Sequence, residues 1–209
     1  MMRKFLIGIL LPVAVLGIGI GTVRAQYNPQ YFFWVGRNCM NNNDYREAIR
    51  TLNTLLRHDE DAFEGYFLRG IAKYNLNDLL GAEADFSTAI EKNPVYTTAY
   101  TYRAITRSRL GNYDDALNDF REAIELRPDL PNPYYSRGVT RLLNQQFKEA
   151  ISDFDHFIRQ ENKVADAYIN RGMSYLYLRI PCAPTRISRP PSAPTARTPT
   201  ATTVAAPST

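Results

Sequence analysis

The sequence predicts an all-α fold, a solenoid built from antiparallel pairs of helices, and three observations support this class. The phrase YFLRG, Tyr66–Gly70, returns every 34 residues as YTYRA, YYSRG and YINRG. Within each period, apolar and small residues follow the i, i+3, i+4, i+7 spacing of a helical face. Short polar segments separate two such faces in each period. A strict period of this length is typical of repeat proteins, in which each unit packs on its neighbours.

The units are numbered so that the small residue of each phrase falls at position 8. They then begin at Pro29, Phe63, Thr97, Pro131 and Ala165. In the second unit, Gly70 and Lys73 share a face of the first helix, and Ala82, Phe86 and Ala89 share a face of the second. A glycine inside a helix costs about 1 kcal/mol relative to alanine, so its return at position 8 needs a reason. We expect small residues at positions 8 and 20 to let the two helices approach closely, with the large residue of position 24 beside them.

Polar joints such as Asn41–Asp44 connect the two helices of each unit. We expect their Asn and Asp side chains to cap the second helix by accepting hydrogen bonds from its free N–H groups. Pro94 and Pro128 at position 32 are expected to end that helix. The tyrosines of position 4 and the aromatic residues of position 24 are expected in the core, because both recur at helical spacing.

An arginine recurs at position 7 and an aspartate at position 23, and the first unit lacks both, with Val35 and Thr51 in their places. These positions lie opposite each other in a helix pair folded about position 15. The favoured interpretation is therefore a repeated ion pair that fixes the packing of each unit. The predicted pairs are Arg69–Asp85, Arg103–Asp119 and Arg137–Asp153. The alternative is an exposed basic stripe that binds a ligand. Arg171 is expected to lack the position-23 partner of its own unit, because Pro181 interrupts the second helix there.

These motifs resemble the tetratricopeptide repeat, or TPR, of exported bacterial proteins, and the resemblance covers residues 29 to about 179. It implies a right-handed superhelical solenoid of about 4.5 units, whose first helices line a concave groove that holds an extended peptide or a partner helix. The peptide-binding residues that it implies are Phe33, Arg37, Met40, Phe67, Ile71, Tyr74, Thr101, Ser108, Arg109, Tyr135 and Leu142. Several of these residues, especially at position 9, could instead pack between units. The lysines and asparagines with which some members hold a C-terminal carboxylate are missing at these places.

The charge distribution argues against a nucleic-acid partner, although the formal net charge is +4. Six basic residues lie in the two ends, which leaves 19 basic against 21 acidic residues between them. A slightly acidic folded part has no general attraction for phosphate backbones. His58 and His156 lack partners at metal-ligand spacing, and the chain has neither a phosphate-binding glycine loop nor a nucleophile elbow. We therefore expect no enzyme activity, no cofactor and no metal.

Residues 1–25 have the layout of a secretory signal peptide. A basic start, MMRK, precedes the apolar run Phe5–Gly21, and Val23 and Ala25 occupy the −3 and −1 positions of a cleavage site. The alternative is an uncleaved membrane anchor, which would be the chain's only contact with a membrane. Either way the folded part, residues 26–179, is expected to be exported to the periplasm or secreted. Only Cys39 and Cys182 are present, and we expect no structural disulfide between them, with Cys39 packing as a small hydrophobe.

Residues 180–209 form a tail with seven Pro, seven Thr, six Ala and three Ser, and it contains no acidic or aromatic residue. Such a composition predicts disorder. The tail could be a natural linker or stalk, or an out-of-frame product that truncates a longer repeat protein. The interruption within a unit favours the second interpretation. The predicted function is a non-catalytic, exported protein-binding scaffold; the alternative is the interaction module of a larger exported enzyme or sensor.

Overall fold

The structure is a computed structural model that describes residues 28–179, and within them the chain forms nine α-helices and no strand. The helices are α1 (Pro29–Asn41), α2 (Tyr45–His58), α3 (Phe63–Asn75), α4 (Leu79–Lys92), α5 (Thr97–Arg109), α6 (Tyr113–Leu126), α7 (Pro131–Leu143), α8 (Phe147–Gln160) and α9 (Ala165–Arg179). Each predicted unit start is the first residue of an odd-numbered helix, which confirms the all-α class and the pairing of helices. The predicted leader, residues 1–25, and the predicted tail, residues 180–209, lie outside the described residues.

The helices stack in chain order, and their contacts define an inner and an outer wall. Every helix packs against the next one along the chain, and each odd-numbered helix also contacts the next odd-numbered helix. Within residues 28–179 no even-numbered helix contacts another even-numbered helix. The stack therefore curves with the odd-numbered helices on its inner, concave side, as expected for a solenoid. None of the helices in this part of the chain is long and apolar enough to span a membrane.

The core of each unit is a close contact between its two helices. A Cβ atom added at Gly70 would lie 2.6 Å from Cε1 of Phe86, and one added at Gly138 would lie 2.8 Å from Cε1 of Phe154. Both rings are fully buried, as is Phe120 in the third unit. The predicted close approach is therefore confirmed: at Gly70 and Gly138 an added Cβ would press on the ring as it lies, whereas in the third unit Ala104 packs beside Phe120.

Three-residue joints reverse the chain within each of the four complete units. Their middle residues, at position 15, have positive φ values: Asn43 at 59°, Asn77 at 63°, Gly111 at 84° and Gln145 at 59°. The Asp44 and Asp78 side chains accept hydrogen bonds from the N–H groups of Glu47 and Gly81, so both cap their helices as predicted. The side chain of Asn112 makes no such bond, so the prediction is wrong there. Helices α4 and α6 end before Pro94 and Pro128 as predicted.

Cys39 is a free, half-buried thiol on α1, and burial raises its pKa. This placement agrees with the expected packing as a small hydrophobe. Since Cys182 lies outside the described residues, the expected absence of a disulfide stays a prediction.

Gln145 offers a test of the joint geometry, because only glycine, asparagine and aspartate adopt positive φ readily and the cost for other residues is about 1–2 kcal/mol. We expect Gln145→Gly to raise the free energy of unfolding by about 1 kcal/mol, after the entropy that glycine loses on folding is subtracted. The measurement is urea unfolding followed by circular dichroism at 222 nm.

The matched control is the reverse change in the third unit, Gly111→Gln. No atom lies within 4 Å of a Cβ placed there, so only the backbone conformation is tested. The free energy of unfolding of this variant should be about 1 kcal/mol lower than that of the wild type. Equal stabilities of the wild type and both variants would contradict the strain assigned to position 15.

Candidate peptide-binding groove

The recurring arginines form paired hydrogen bonds with the buried aspartates, as predicted. Arg69 donates through Nε and Nη2 to the two carboxylate oxygens of Asp85 at 2.9 and 2.7 Å. The same two bonds join Arg103 to Asp119 at 2.9 and 2.8 Å, and Arg137 to Asp153 at 3.0 and 2.7 Å. The three aspartates are buried and the arginines are largely covered. The alternative of an exposed basic stripe is therefore wrong for these three residues.

Each buried aspartate also contacts a second cation, which the sequence analysis missed. Lys73 approaches Asp85 at 2.8 Å, Arg107 approaches Asp119 at 2.8 Å and Arg141 approaches Asp153 at 2.7 Å. All three cations occupy position 11, one turn after the arginine of position 7. A basic residue at position 11 in the same units that carry an aspartate at position 23 was the available signal.

The arginine of position 7 also links its unit to the preceding one through its remaining nitrogen. The Nη1 atom of Arg69 donates to Asn53 at 2.6 Å. The Nη1 atom of Arg103 donates to Ser87 at 3.1 Å, and that of Arg171 donates to Asp155 at 2.7 Å. Arg171 therefore has a carboxylate partner that the sequence analysis did not predict, whereas the expected loss of its position-23 partner falls on residues outside the described part of the chain. Its carboxylate comes from the second helix of the preceding unit instead of its own.

The tyrosines of position 4 lie against these arginines, at the edge of the core. The guanidinium carbon lies 5.3 to 5.6 Å from the tyrosine ring centroid in all four units that carry the pair. The rings of the second to fourth units are half-buried, and Tyr168 is exposed. Tyr66 and Tyr100 also pack against buried core residues, so the expected core placement is confirmed in part. The recurring Tyr and Arg at i, i+3 form a cation–π pair, in which the ring faces the cation and fixes its direction.

One buried nitrogen of this network has no hydrogen-bond partner within residues 28–179. Arg107 donates through Nε to Glu83 of the preceding unit at 2.7 Å. The corresponding Nε of Arg141 is buried and unpaired, because the half-buried Leu117 stands where the third unit would need that glutamate. An unpaired buried donor lowers stability, since it loses water without gaining an acceptor.

We therefore expect the variant Leu117→Glu to be more stable than Leu117→Ala by about 1 kcal/mol. Both variants lose the leucine side chain, but only the new carboxylate reaches Arg141 as Glu83 reaches Arg107. In the second unit, Glu83→Ala should lower the free energy of unfolding by about 1 kcal/mol, because Nε of Arg107 would then lack an acceptor, as Nε of Arg141 does in the wild type. Urea unfolding measures all three variants. A glutamate variant that is no more stable than the alanine variant would show that Arg141 does not need an acceptor.

The eleven predicted groove residues all lie on odd-numbered helices, but they differ in accessibility. Phe67 is only 7% exposed, and its ring packs against those of Tyr96 and Tyr102 at 5.0 and 5.4 Å. Thr101 is buried, and its hydroxyl donates to the carbonyl of Thr97 at 3.1 Å. The other nine, which are half-buried or exposed, are Phe33, Arg37, Met40, Ile71, Tyr74, Ser108, Arg109, Tyr135 and Leu142. Most of the predicted surface is thus available to a ligand, and Phe67 and Thr101 are not.

The side chain of Arg109 on this wall contacts residues of the preceding unit. Its guanidinium carbon lies 4.7 Å from the ring centroid of Tyr74, and its Nη2 donates to Asn77 at 2.9 Å. Both partners belong to the preceding unit, so the side chain is held across the α3–α5 junction. The structure brings together two residues predicted for the site, and the third contact, Asn77, was not predicted.

A hollow of about 210 Å³ lies between α5 and α7. Ile105, Ser108, Arg109, Tyr135, Val139 and Leu143 are among the residues that line it. Burial raises the pKa of Tyr135, so its hydroxyl is neutral at pH 7 and accepts a hydrogen bond from Asn170 at 3.2 Å. Leu143, at position 13 of the fourth unit, is 55% exposed. A second hollow of about 330 Å³, lined in part by Phe33, lies between α1 and α3.

The two histidines lie apart from this wall. His156 stacks on Tyr134 with 3.7 Å between ring centroids, and His58 is the last residue of α2. Within residues 28–179 no group of three His, Cys, Asp or Glu side chains is placed to hold a metal ion.

The fold defines a class of protein, a solenoid of stacked helix pairs. Two models of one repeat family match the chain: one described as a tetratricopeptide repeat matches residues 36–97, and one described as a TPR repeat matches residues 108–145. The chain is a tetratricopeptide-repeat protein. No curated protein matches it in sequence.

Solved TPR structures share this fold at low sequence identity. The double mutant MamA RS-1 ArsTM matches with a TM-score of 0.67 and 19% identity over 72% of this chain and 85% of that chain. YrrB, described as a TPR protein with an unusual peptide-binding site, matches with a TM-score of 0.62 and 19% identity over 72% and 78%. The first TPR of Spaghetti (RPAP3), bound to the HSP90 peptide SRMEEVD, matches with a TM-score of 0.55 and 20% identity over 57% and 95%.

Proposed function

We propose that this protein is a non-catalytic scaffold of the cell envelope that binds an extended peptide or a partner helix along its concave wall. One observation carries the proposal. The arginines of position 7 are turned toward buried aspartates within the units, and the hollow on the concave wall between α5 and α7 is lined mainly by Ile105, Tyr135, Val139 and Leu143. An accessible apolar surface of this kind, with a few fixed polar groups, is typical of peptide-binding grooves.

The similar structures support a protein or peptide ligand. YrrB is described as having a peptide-binding site, and the Spaghetti repeat was solved with a bound peptide. Their likeness to this chain is one of fold, so the ligand itself is proposed from the side chains of this wall. Those side chains favour a segment with apolar or aromatic residues, and Arg109 offers one charged contact to an acidic group of the ligand.

The ligand-contacting centre is proposed between α3 and α7, around Tyr74, Arg109 and Leu143. Tyr74 and Arg109 already contact each other across a unit junction, and Leu143 lines the neighbouring hollow. A rigid aromatic ring next to a fixed arginine is the combination that most often dominates binding energy at protein interfaces. Phe33, beside the hollow between α1 and α3, would extend the contact toward the first unit.

Truncation of this centre tests the groove. Panning a displayed peptide library on the full chain should enrich peptides with apolar and aromatic residues. Tyr74→Ala and Leu143→Ala should each weaken the selected peptides by about ten- to a hundred-fold, since residues at such centres contribute about 1–3 kcal/mol. The affinities are measured by isothermal titration calorimetry, with circular dichroism as a check of folding.

Leu80→Ala is the matched control, because Leu80 is an apolar residue that is 72% exposed on α4, outside the concave wall. It should leave the affinity unchanged. Peptides that bind all three variants equally, or a library without any enriched peptide, would refute the groove as the binding surface.

The envelope location rests on the leader, and it predicts cleavage after Ala25. When the full chain is expressed in a bacterium with a periplasm, mass spectrometry should show a mature N-terminus at Gln26 in the periplasmic fraction. Ala25→Leu, which removes the small residue of the −1 position, should leave the leader attached and the chain in the membrane fraction. Full-length wild type in the cytoplasm would contradict the proposed location.

A further inference from the structure

The last described helix, α9, has a small residue at position 8, Gly172, like the other odd-numbered helices. No side chain within residues 28–179 fills the space beside it, which is called the socket below. In the second and fourth units a buried phenylalanine contacts the glycine of position 8. In the first unit Leu52 plays this part, at 3.0 Å from a Cβ placed on Gly36. At Gly172, the glycine of the fifth unit, nothing within residues 28–179 comes within 4 Å of such a Cβ.

The side chains around Gly172 form an apolar strip on one face of α9. Ile169 and Leu176 are each 57% exposed, and Gly172 lies between them at helical spacing. In the second unit the residue that corresponds to Ile169 is Phe67, which is only 7% exposed and packs against Phe86 of α4. The opposite face of α9 is packed, since Ala167 and Ser174 are fully buried. In complete units this face meets the second helix at positions 5 and 8, as Phe67 and Gly70 meet Phe86. Leu176 lies at position 12, where the other units carry half-buried residues of the concave wall.

Arg171 adds a charge of defined direction to this strip. Its Nη1 is held by Asp155 at 2.7 Å, and the ring of Tyr168 lies 5.4 Å from its guanidinium carbon. In the three preceding units the other two nitrogens, Nε and Nη2, bind both oxygens of one aspartate. For Arg171 neither of these atoms makes a hydrogen bond within the described part of the chain. The guanidinium is thus positioned by two contacts, with its carboxylate-binding edge free beside the glycine.

We propose that Ile169, Arg171, Gly172 and Leu176 form a docking site for an amphipathic helix of another protein that carries an aspartate directly followed by a phenylalanine. The chain itself defines this ligand. Helices α4 and α6 both contain the pattern Ala-x-x-Asp-Phe-x-x-Ala, and in each unit the aspartate binds the arginine of position 7. The ring beside that aspartate fills the space next to position 8, as Phe86 does at Gly70. A helix of the same pattern matches the α9 strip in shape and in charge.

The rest of these 209 residues offers no free copy of this pattern. The three Asp–Phe pairs of the sequence are those of α4, α6 and α8, and each is already buried in its own unit. Residues 180–209 contain neither an aspartate nor an aromatic residue. A second copy of this chain would have to unfold one of its own units to supply the pair. The site thus continues positions 5 and 12 of the concave wall onto α9, and it differs from the groove of the complete units in the chemistry that it recognises.

A peptide with the sequence of α6, Tyr113–Leu126, is the direct probe. It is amidated, acetylated and labelled with a fluorophore, and the full chain is titrated into it while fluorescence anisotropy is recorded. We expect saturable binding with a dissociation constant in the micromolar range or weaker, because a helix of this length is only marginally stable alone and must fold on binding. Peptides with Asp119→Asn or Phe120→Ala should bind at least about ten-fold more weakly.

Substitutions at Gly172 locate the peptide on α9. Gly172→Leu should abolish binding, since its side chain fills the socket. Gly172→Ala is the matched control and should change the affinity by less than about three-fold, because Ala104 occupies the same position beside Phe120 in the third unit. Tyr74→Ala, in the concave groove, should have no effect.

Three results would overturn the proposal. The first is an anisotropy that does not saturate at millimolar protein, and the second is equal binding by the wild type and Gly172→Leu. The third is sedimentation equilibrium that shows self-association of the full chain which Gly172→Leu abolishes, because the strip would then be an interface between two copies.

Discussion

The contact on which the structure depends is the one between position 8 of each first helix and position 24 of each second helix. Burying a phenylalanine side chain contributes about 2–3 kcal/mol, whereas a buried ion pair often contributes little net stability after its desolvation. The phenylalanine ring beside Gly70 or Gly138 therefore supplies the stabilisation. Because the glycine has no side chain, the two helices can come close together. Positions 7 and 23 each lie one residue before this contact, so the same approach brings Arg69 within 2.9 Å of Asp85. The ion pair uses a geometry that the apolar contact has established.

The charged network then acts on specificity more than on stability. A buried carboxylate that loses its partners costs about 3–5 kcal/mol, so any register that separates positions 7 and 23 is strongly disfavoured. With two cations on each aspartate and a further bond to position 25 of the preceding unit, the network also relates one unit to the next. At the junction of the third and fourth units, position 25 is Arg121, which donates to Asn118 instead. The network is therefore weakest at this junction, which adjoins the unpaired Nε of Arg141.

The sequence alone could predict what repeats within a unit, because four copies of one pattern separate the required residues from the incidental ones. Unit starts, the small residues of position 8 and the Arg–Asp pairs are all of this kind. Contacts between units, such as that of Arg171 with Asp155, depend on the rotation from one unit to the next, which no spacing along the chain encodes. The same limit applies to the candidate groove. Phe67 and Tyr74 both matched groove positions, yet curvature buries the first and leaves part of the second accessible.

The location of the arginines also determines which surfaces pack within the units and which surfaces can bind a ligand. In α3, α5 and α7 the arginine edge and the neighbouring glycine or alanine are used within the unit, so neither is offered to a ligand on the concave wall. Helix α9 has the same chemistry, but within the described residues no second helix covers it. The difference between a packing surface and a binding surface thus does not lie in the sequence of the helix itself. A groove ligand must contact apolar side chains whose identities vary from unit to unit. A ligand of α9 must instead carry the aspartate followed by phenylalanine that every complete unit after the first has at positions 23 and 24.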